Sequence, residues 1–98
     1  MLFHVAWEFV DTSEDGLRRS LAVFSNWQPP EGAQFQGFYG FADGTGGAAI
    51  VEVDTVTTLD RTVAPWLPWL RFTIKPILPI EESSQLTGEA IAFRDSVG

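Results

Sequence analysis

The sequence predicts an α+β domain in which the elements follow the order β-α-β-β-α-β, with one further helix at the C-terminal end. Three observations predict it: stretches of alternating apolar and polar residues, apolar residues at helical spacing between them, and a glycine-rich turn between two of the alternating stretches. Because 98 residues are enough for one apolar core, residues 1–98 are assigned to a single domain.

The first strand and helix follow from two different periodicities. Side chains in residues 2–9 alternate in character, so Phe3, Val5, Trp7 and Phe9 share one side of a strand. Residues 11–15 combine hydroxyl side chains that can cap a helix with acidic residues that suit its first turn. Leu17, Leu21 and Phe24 then form the inner stripe of the predicted helix, which cannot continue through Pro29-Pro30.

A hairpin is predicted in the middle of the chain. Residues 34–42 and 48–54 have strand patterns, and the turn Asp43-Gly44-Thr45-Gly46-Gly47 separates them. This turn superficially resembles a phosphate-binding loop, but it leads into a strand and lacks the Gly-Lys-Ser/Thr ending. A hairpin turn is therefore the better interpretation.

The remaining elements are a helix, a strand and a final helix. Thr55 or Thr57 can cap the second helix, which ends at Pro65 and Pro68. Its predicted inner stripe contains Val56, Leu59, Val63 and either Trp66 or Leu67. Residues 69–77 alternate as the fourth strand. An amphipathic helix begins near Glu81, and its apolar positions are Leu86, Ala90, Phe93 and Val97.

This order of elements predicts a ferredoxin-like fold, an antiparallel four-stranded sheet in the order 4-1-3-2 with two helices on one side. Alternation divides the strand residues between two faces. The predicted helix-covered face contains Phe3, Val5, Trp7, Phe9, Phe35, Tyr39, Phe41, Ala49, Val51, Val53, Leu70, Phe72 and Ile74. The predicted open face contains Leu2, His4, Ala6, Glu8, Gln34, Gln36, Phe38, Ile50, Glu52, Trp69, Arg71, Thr73 and Lys75.

Composition argues against several classes of partner. The net charge of −7 repels phosphate backbones and anionic membrane surfaces, so we expect no nucleic-acid or membrane partner. The absence of cysteine removes disulfides and thiolate metal sites, and with a single histidine no metal or other cofactor is predicted. No secretion signal or membrane-spanning run is recognised, so a cytoplasmic location is expected.

The mixed character of the open face predicts a homodimer. Leu2, Phe38, Ile50 and Trp69 are unfavourable in water, at about 25 cal/mol per Å² of apolar surface, while the polar residues among them are few. A second copy laid face to face would enclose this surface. The alternative is a monomer in which the C-terminal helix folds back over the same face.

Several short strings resemble one small bacterial family, a domain of unknown function in the dimeric α+β barrel group, with its closest members in cyanobacteria and their viruses. The resemblance covers roughly residues 1–80 and implies the fold and the dimer, but no reaction. The strings are Trp27-Gln28-Pro29-Pro30-Glu31-Gly32, Ala42-Asp43-Gly44-Thr45-Gly46-Gly47, Ile50-Val51-Glu52-Val53, Ala64-Pro65-Trp66 and Phe72-Thr73-Ile74-Lys75-Pro76-Ile77. Where broader members place a basic residue or His near the end of the second strand, this chain has Phe38-Tyr39-Gly40.

The candidate ligand-binding residues all lie on the predicted open face: His4, Glu8, Phe38, Glu52, Trp69, Arg71 and Lys75. His4 with Glu8 or Glu52 is either a proton-transfer pair or a polar pair within an interface. Glu52, Arg71 and Lys75 form either a structural ion-pair network or, through the Arg71 guanidinium, an anchor for a ligand carboxylate. No catalytic residue is assigned.

The tryptophans suggest a second surface. Trp27, Trp66 and Trp69, with prolines between them, form either an aromatic surface for a ring-shaped ligand or partner protein, or a packed corner of the domain.

Two functions of different classes remain. The first is a homodimeric module that binds a small molecule or a protein partner. The second is a cofactor-independent monooxygenase- or cyclase-like enzyme that uses the barrel interior, with His4 as acid–base residue and Arg71 holding an oxyanion. A cavity of about 300 Å³ or more, lined by converging polar groups, would favour a small-molecule site.

Overall fold

The computed structural model describes all 98 residues and confirms the predicted α+β fold. Its strands form one antiparallel sheet in the order β2-β3-β1-β4, which is the predicted 4-1-3-2 order. A short 3-10 turn at Ala64–Trp66 follows the second helix. The main elements are β1 (Leu2–Phe9), α1 (Glu14–Ser25), β2 (Ala33–Gly40), β3 (Gly46–Val53), α2 (Val56–Val63), β4 (Leu70–Pro76) and α3 (Ile80–Val97).

The core lies between the two central strands and α2. β1 and β3 have a neighbour on each side, so their helix-facing residues lose the most solvent contact. Leu59 and Val63 of α2 pack against them one helical turn apart, as their spacing predicts. The buried cluster comprises Phe3, Val5, Ala49, Val51, Val53, Leu59 and Val63, all of them predicted to face inward. Val56, which was predicted on the same stripe of α2, is 61% exposed because it lies in the first turn at the edge of the sheet.

Side-chain caps fix where the first two helices begin. The Ser13 Oγ accepts a hydrogen bond from the Gly16 N–H at 3.0 Å, and the Thr55 Oγ1 accepts one from the Thr58 N–H at 3.2 Å. Thr55, rather than Thr57, is therefore the cap of α2. Each cap satisfies a backbone donor that the first turn of a helix leaves unpaired.

A bulge in β2 corrects the predicted placement of its aromatic side chains. Phe35 pairs with Val51 and Gly37 pairs with Ile50, so Gln36 is an extra residue with no partner. Phe38 consequently faces the helices, and Tyr39 lies on the open face. The sequence assigned both to the opposite sides because an uninterrupted alternation cannot reveal one inserted residue. Phe41, which was predicted to lie inside, follows the end of β2 and is 46% exposed.

The β2–β3 hairpin brings glycine backbone against β1. Gly44 adopts a φ of 78°, a conformation that glycine accepts without strain. Gly46 and Gly47 then begin β3, where an added Cβ would collide with the Trp7 main chain at Gly46 and with the Trp7 ring at Gly47. These two glycines allow β3 to pass beneath the Trp7 indole.

The last helix, α3, stands apart from the rest of the molecule. None of its residues is buried, and the molecule extends over 60 × 30 × 20 Å. In this structure α3 does not lie over the open face of its own sheet. Neither α3 nor any other helix combines the length and apolar character that a membrane crossing requires.

Candidate functional site

An apolar pocket of about 430 Å³ lies between the helices and the helix-facing side of the sheet. Sixteen of its nineteen lining residues are hydrophobic. One wall comes from Leu17, Leu21 and Phe24 of α1, which remain 40–64% exposed because they border this space instead of filling it. The predicted inner stripe of α1 thus points in the expected direction without closing the core.

Aromatic rings form much of the pocket wall. Phe38 lies at the centre of them, with ring-centre distances of 4.8 Å to Phe35, 5.6 Å to Trp7 and 5.9 Å to Phe24. Its ring is stacked on Phe35 and meets the other two edge-on. Since both arrangements are favoured by the ring quadrupoles, the wall is held by specific geometry as well as by apolar burial.

Trp27 and Trp66 close one end of the pocket. Their ring centres are 4.9 Å apart, and Trp27 also meets Phe35 edge-on at 5.7 Å. The Trp66 indole N–H donates a hydrogen bond to the Ser20 carbonyl oxygen at 3.3 Å, which links the 3-10 turn to α1. Trp66 is thus part of a packed corner, whereas Trp27 is half-buried and borders the pocket.

The pocket contains very few polar groups. Tyr39 borders the pocket, but its ring lies on the open face beside Gly37. The hydroxyl side chains of the pocket are therefore those of Ser20 and Thr62, and the Thr62 Oγ1 already donates to the Thr58 carbonyl oxygen at 2.7 Å. No Asp, Glu, His, Lys or Arg lines it. An uncharged, apolar surface of this kind can bind a molecule by shape and desolvation.

Most of the predicted site residues lie on the other side of the sheet, and their carboxylates are engaged away from His4. Glu8 forms an ion pair with Arg71 at 3.5 Å, and Glu52 accepts a hydrogen bond from the Met1 amine at 2.7 Å. His4 lies between Ile50 on β3 and Lys75 on β4. The structure therefore shows no His4–carboxylate pair.

The predicted group of Glu52, Arg71 and Lys75 is divided between the two ends of the sheet. Glu52 is level with Leu2 and Arg71 is level with Glu8, six positions apart along β1, or about 20 Å. Lys75 lies opposite His4 and has no ion-pair partner within the chain. Trp69 is half-buried just before β4, where its backbone N–H donates to the Trp66 carbonyl oxygen at 2.9 Å.

Among the candidate residues, only Phe38 belongs to the pocket. The sequence did not predict a site on the helix-covered face, because that face was interpreted as a filled core. One signal could have indicated it: Phe24, Trp27, Phe35 and Trp66 are more ring surface than a small sheet and two short helices can enclose.

Three aspartates outside the pocket have lowered pKa values. The Ser13 hydroxyl and N–H lower the pKa of Asp11, and the Thr45 hydroxyl and N–H lower that of Asp43. The Thr58 hydroxyl is the main cause of the lowered pKa of Asp54. Each carboxylate stabilises a helix start or a turn, so these shifts indicate structural roles. No three Asp, Glu or His side chains lie together as metal ligands would.

Residues 1–91 of the chain match the model of one protein family, which is described as a domain of unknown function, DUF3303. The chain belongs to this family. The match confirms the predicted resemblance to a domain of unknown function, and it extends beyond residue 80 into α3. No curated protein matches the chain.

Proposed function

We propose that this chain is a binding module for an uncharged, planar apolar molecule, which it holds in the pocket between α1 and the sheet. The observation that carries the proposal is the pocket itself, about 430 Å³ with sixteen hydrophobic lining residues among nineteen. A volume of this order suits a ligand of two or three fused or linked rings. Flat ligands suit it best because Phe24, Trp27, Phe35 and Phe38 can stack on them.

The chemistry of the wall supports binding more than catalysis. An enzyme of the monooxygenase or cyclase type needs an acid, a base or an oxyanion donor at the reacting atoms. His4 and Arg71, the residues predicted for those roles, lie on the opposite face of the sheet from the pocket. No observation favours the enzyme as a second candidate.

Ligand binding can be tested with N-phenyl-1-naphthylamine, a neutral aromatic probe whose emission rises in apolar surroundings. We expect saturable binding at one probe per chain, accompanied by quenching of tryptophan emission because Trp27 borders the pocket. Leu21→Glu places a carboxylate at the pocket edge and should weaken binding about tenfold or more, as expected for an unpaired charge beside a desolvated ligand.

Ala22→Glu is the matched control, since Ala22 is the next residue of α1, is exposed and does not line the pocket. The proposal requires Ala22→Glu to bind the probe as the unchanged chain does. Equal weakening by both variants, or no saturable binding by the unchanged chain, would contradict it.

We also propose that the module is a homodimer in which the open face of the sheet is covered. Leu2, Ala6 and Ile50 lie on this face, and no helix of the same chain packs over them. Sedimentation analysis at micromolar concentration should give the mass of two chains. The dimeric α+β barrel arrangement, a protein partner, the cyanobacterial or viral source and the cytoplasmic location remain predictions from the sequence.

A further inference from the structure

The helix α3, called the arm below, packs against no other element of its own chain. Its apolar residues Ile80, Leu86, Ile91, Phe93 and Val97 are 46–75% exposed. The radius of gyration is 17.5 Å, whereas a compact chain of this length has about 13 Å. The 18 residues of α3 extend for about 27 Å, which accounts for nearly half of the 60 Å long axis.

An isolated helix of this composition is not expected to be stable in water. Helices of about 15 residues are marginal without tertiary contacts, and α3 contains Gly88, two serines in its first half and no side-chain cap at Pro79. The family match includes α3 as far as residue 91, so most of the helix belongs to the domain. A packing partner is therefore required.

The apolar residues of α3 lie on more than one side of the helix, but four of them form a continuous stripe along its length. At 100° per residue, Leu86, Ala90, Phe93 and Val97 form one apolar stripe, as the sequence predicted. The side opposite the stripe carries Ser84, Gly88, Ile91 and Asp95. Glu82 and Glu89 flank the stripe next to Phe93, and neither has an ion-pair partner within the chain.

The open face of the sheet matches the arm in length, polarity and charge. The strands of eight residues are about 26 Å long, close to the length of α3. Leu2, Ala6 and Ile50 provide an apolar strip along the two central strands. Lys75, the only lysine in the chain, borders that strip on β4 without a carboxylate partner.

We propose that α3 of each copy lies along the open face of the sheet of a second copy, with Glu82 and Glu89 next to the other copy's Lys75. This inference rests on the proposed homodimer and states what covers its open face. Two reciprocal contacts close a two-fold pair and leave no arm unpaired. A helix about 27 Å long and 10 Å wide covers about 270 Å² of a flat surface. The two reciprocal contacts therefore cover about 540 Å² of each copy, roughly two thirds of the 800 Å² per partner of a standard interface.

Zero-length cross-linking tests this arrangement, because a carbodiimide joins an amine to a carboxylate only when the two are nearly in contact. The full chain is prepared in ¹⁴N and ¹⁵N forms, mixed and cross-linked with a water-soluble carbodiimide. We expect mass spectrometry to find amides between Lys75 of one isotope and Glu82 or Glu89 of the other. The Met1 amine, 2.7 Å from Glu52, provides an internal control that should cross-link within one isotope only.

Two variants on neighbouring residues of α3 complete the test. Phe93→Asp places a charge in the apolar stripe and should weaken dimer formation about 30-fold or more. Ala92→Asp introduces the same charge about 130° around the helix from the centre of the stripe and should change the dissociation constant by about twofold at most. Because α3 has no buried residue, neither variant should change the thermal unfolding of the full-length monomer at low protein concentration.

The outcomes separate this inference from the proposed function. A dimer that Phe93→Asp leaves intact, or that gives no Lys75 cross-link to α3 between isotopes, overturns the α3 arrangement but leaves the homodimer in place. Cross-links of Lys75 to α3 within one isotope only would show that the arm folds back on its own sheet. A monomer at all concentrations would overturn the homodimer as well, whereas probe binding in the pocket is measured independently of both.

Discussion

Phe38 lies opposite Ala49 across β2 and β3, and its ring therefore faces the helices, whereas the next residue, Tyr39, lies opposite Ala48 and faces away. The bulge at Gln36 produces this arrangement by adding one residue to β2. It moves a phenylalanine from the face proposed for dimer contact to the wall of the pocket. One unpaired residue thus changes which surface receives each aromatic side chain.

Deletion of Gln36 should be tolerated. Removal of the extra residue leaves Phe35, Gly37 and Phe38 on their present sides, so we expect the free energy of unfolding to fall by about 1 kcal/mol or less. Urea unfolding followed by tryptophan fluorescence measures this. If β2 instead alternated without interruption, the same deletion would turn every later side chain of the strand to the other face and unfold the domain.

Deletion of Ile50 is the comparison for the Gln36 deletion. Ile50 lies in β3, which is paired with β1 at every position from Gly46 to Glu52. Loss of one residue there reverses the sides of the neighbouring core residues Ala49 and Val51 relative to each other. This variant should fail to fold, as judged by loss of the cooperative urea transition.

Gly47→Ala should destabilise the domain by about 1–3 kcal/mol, the usual range for overpacking. The added methyl group would collide with the Trp7 ring and with the carbonyl oxygen of Tyr39. Thermal and urea unfolding measure the change. Gly40→Ala is the matched control, because no atom lies within 4 Å of its added Cβ. Equal stability of the two variants would show that β3 does not pass beneath Trp7 as described.

Trp66→Phe should lower the free energy of unfolding by about 1 kcal/mol through loss of the hydrogen bond to the Ser20 carbonyl oxygen, in addition to a small packing term. Trp27→Phe makes the same change on a ring whose N–H has no protein acceptor, and it should lower the free energy of unfolding by less. Differential scanning calorimetry on both variants provides the comparison. A larger loss of stability for Trp27→Phe than for Trp66→Phe would contradict the role given to the Trp66 hydrogen bond.

Asp54→Asn should remove a pH-dependent contribution to stability. The Asp54 carboxylate accepts hydrogen bonds from the Thr58 hydroxyl and, at 2.7 Å, from the Thr55 N–H, and its pKa is lowered in the folded chain. A lowered pKa stabilises the folded state above the unfolded value of about 3.9, and this stabilisation is lost as the pH falls through the folded-state pKa.

Urea unfolding at pH 6 and below pH 4 tests this sign. We expect Asp54→Asn to be less stable than the unchanged chain at pH 6, and the difference to narrow in acid. Asp60→Asn, at an exposed position of α2 without a side-chain hydrogen bond, should stay close to the unchanged chain at both pH values. A difference for Asp54→Asn that widens in acid would contradict the assigned role of its carboxylate.

Local pattern was sufficient for most of the fold because periodicity and turn chemistry act over a few residues. Alternation located β1, β3 and β4, the glycine-rich turn located the hairpin, and the spacing of Leu59 and Val63 identified the buried side of α2. The element order then left the 4-1-3-2 sheet as the natural arrangement. None of these features depends on a contact that the sequence leaves unspecified.

The candidate site was less predictable because it depends on distances between elements. The same alternation that located the strands gave no sign of the Gln36 bulge, so Phe38 was assigned to the wrong face. The pairing of Glu8 with Arg71 and of Glu52 with the Met1 amine depends on strand register, which periodicity does not specify. The gap between α1 and the sheet likewise depends on how closely two elements approach.

The sequence by itself determined the order of elements, the identity of the central core residues and the existence of a helix at the C-terminal end. The amphipathic character predicted for that helix is weak, because Ile80 and Ile91 lie away from its apolar stripe. Only the tertiary structure decided that Leu17, Leu21 and Phe24 border a pocket, that Phe38 belongs to it, and that α3 extends away from its own sheet. The physical reason is that side-chain periodicity is a property of one element, whereas a pocket or an unpaired helix is a property of the space between elements.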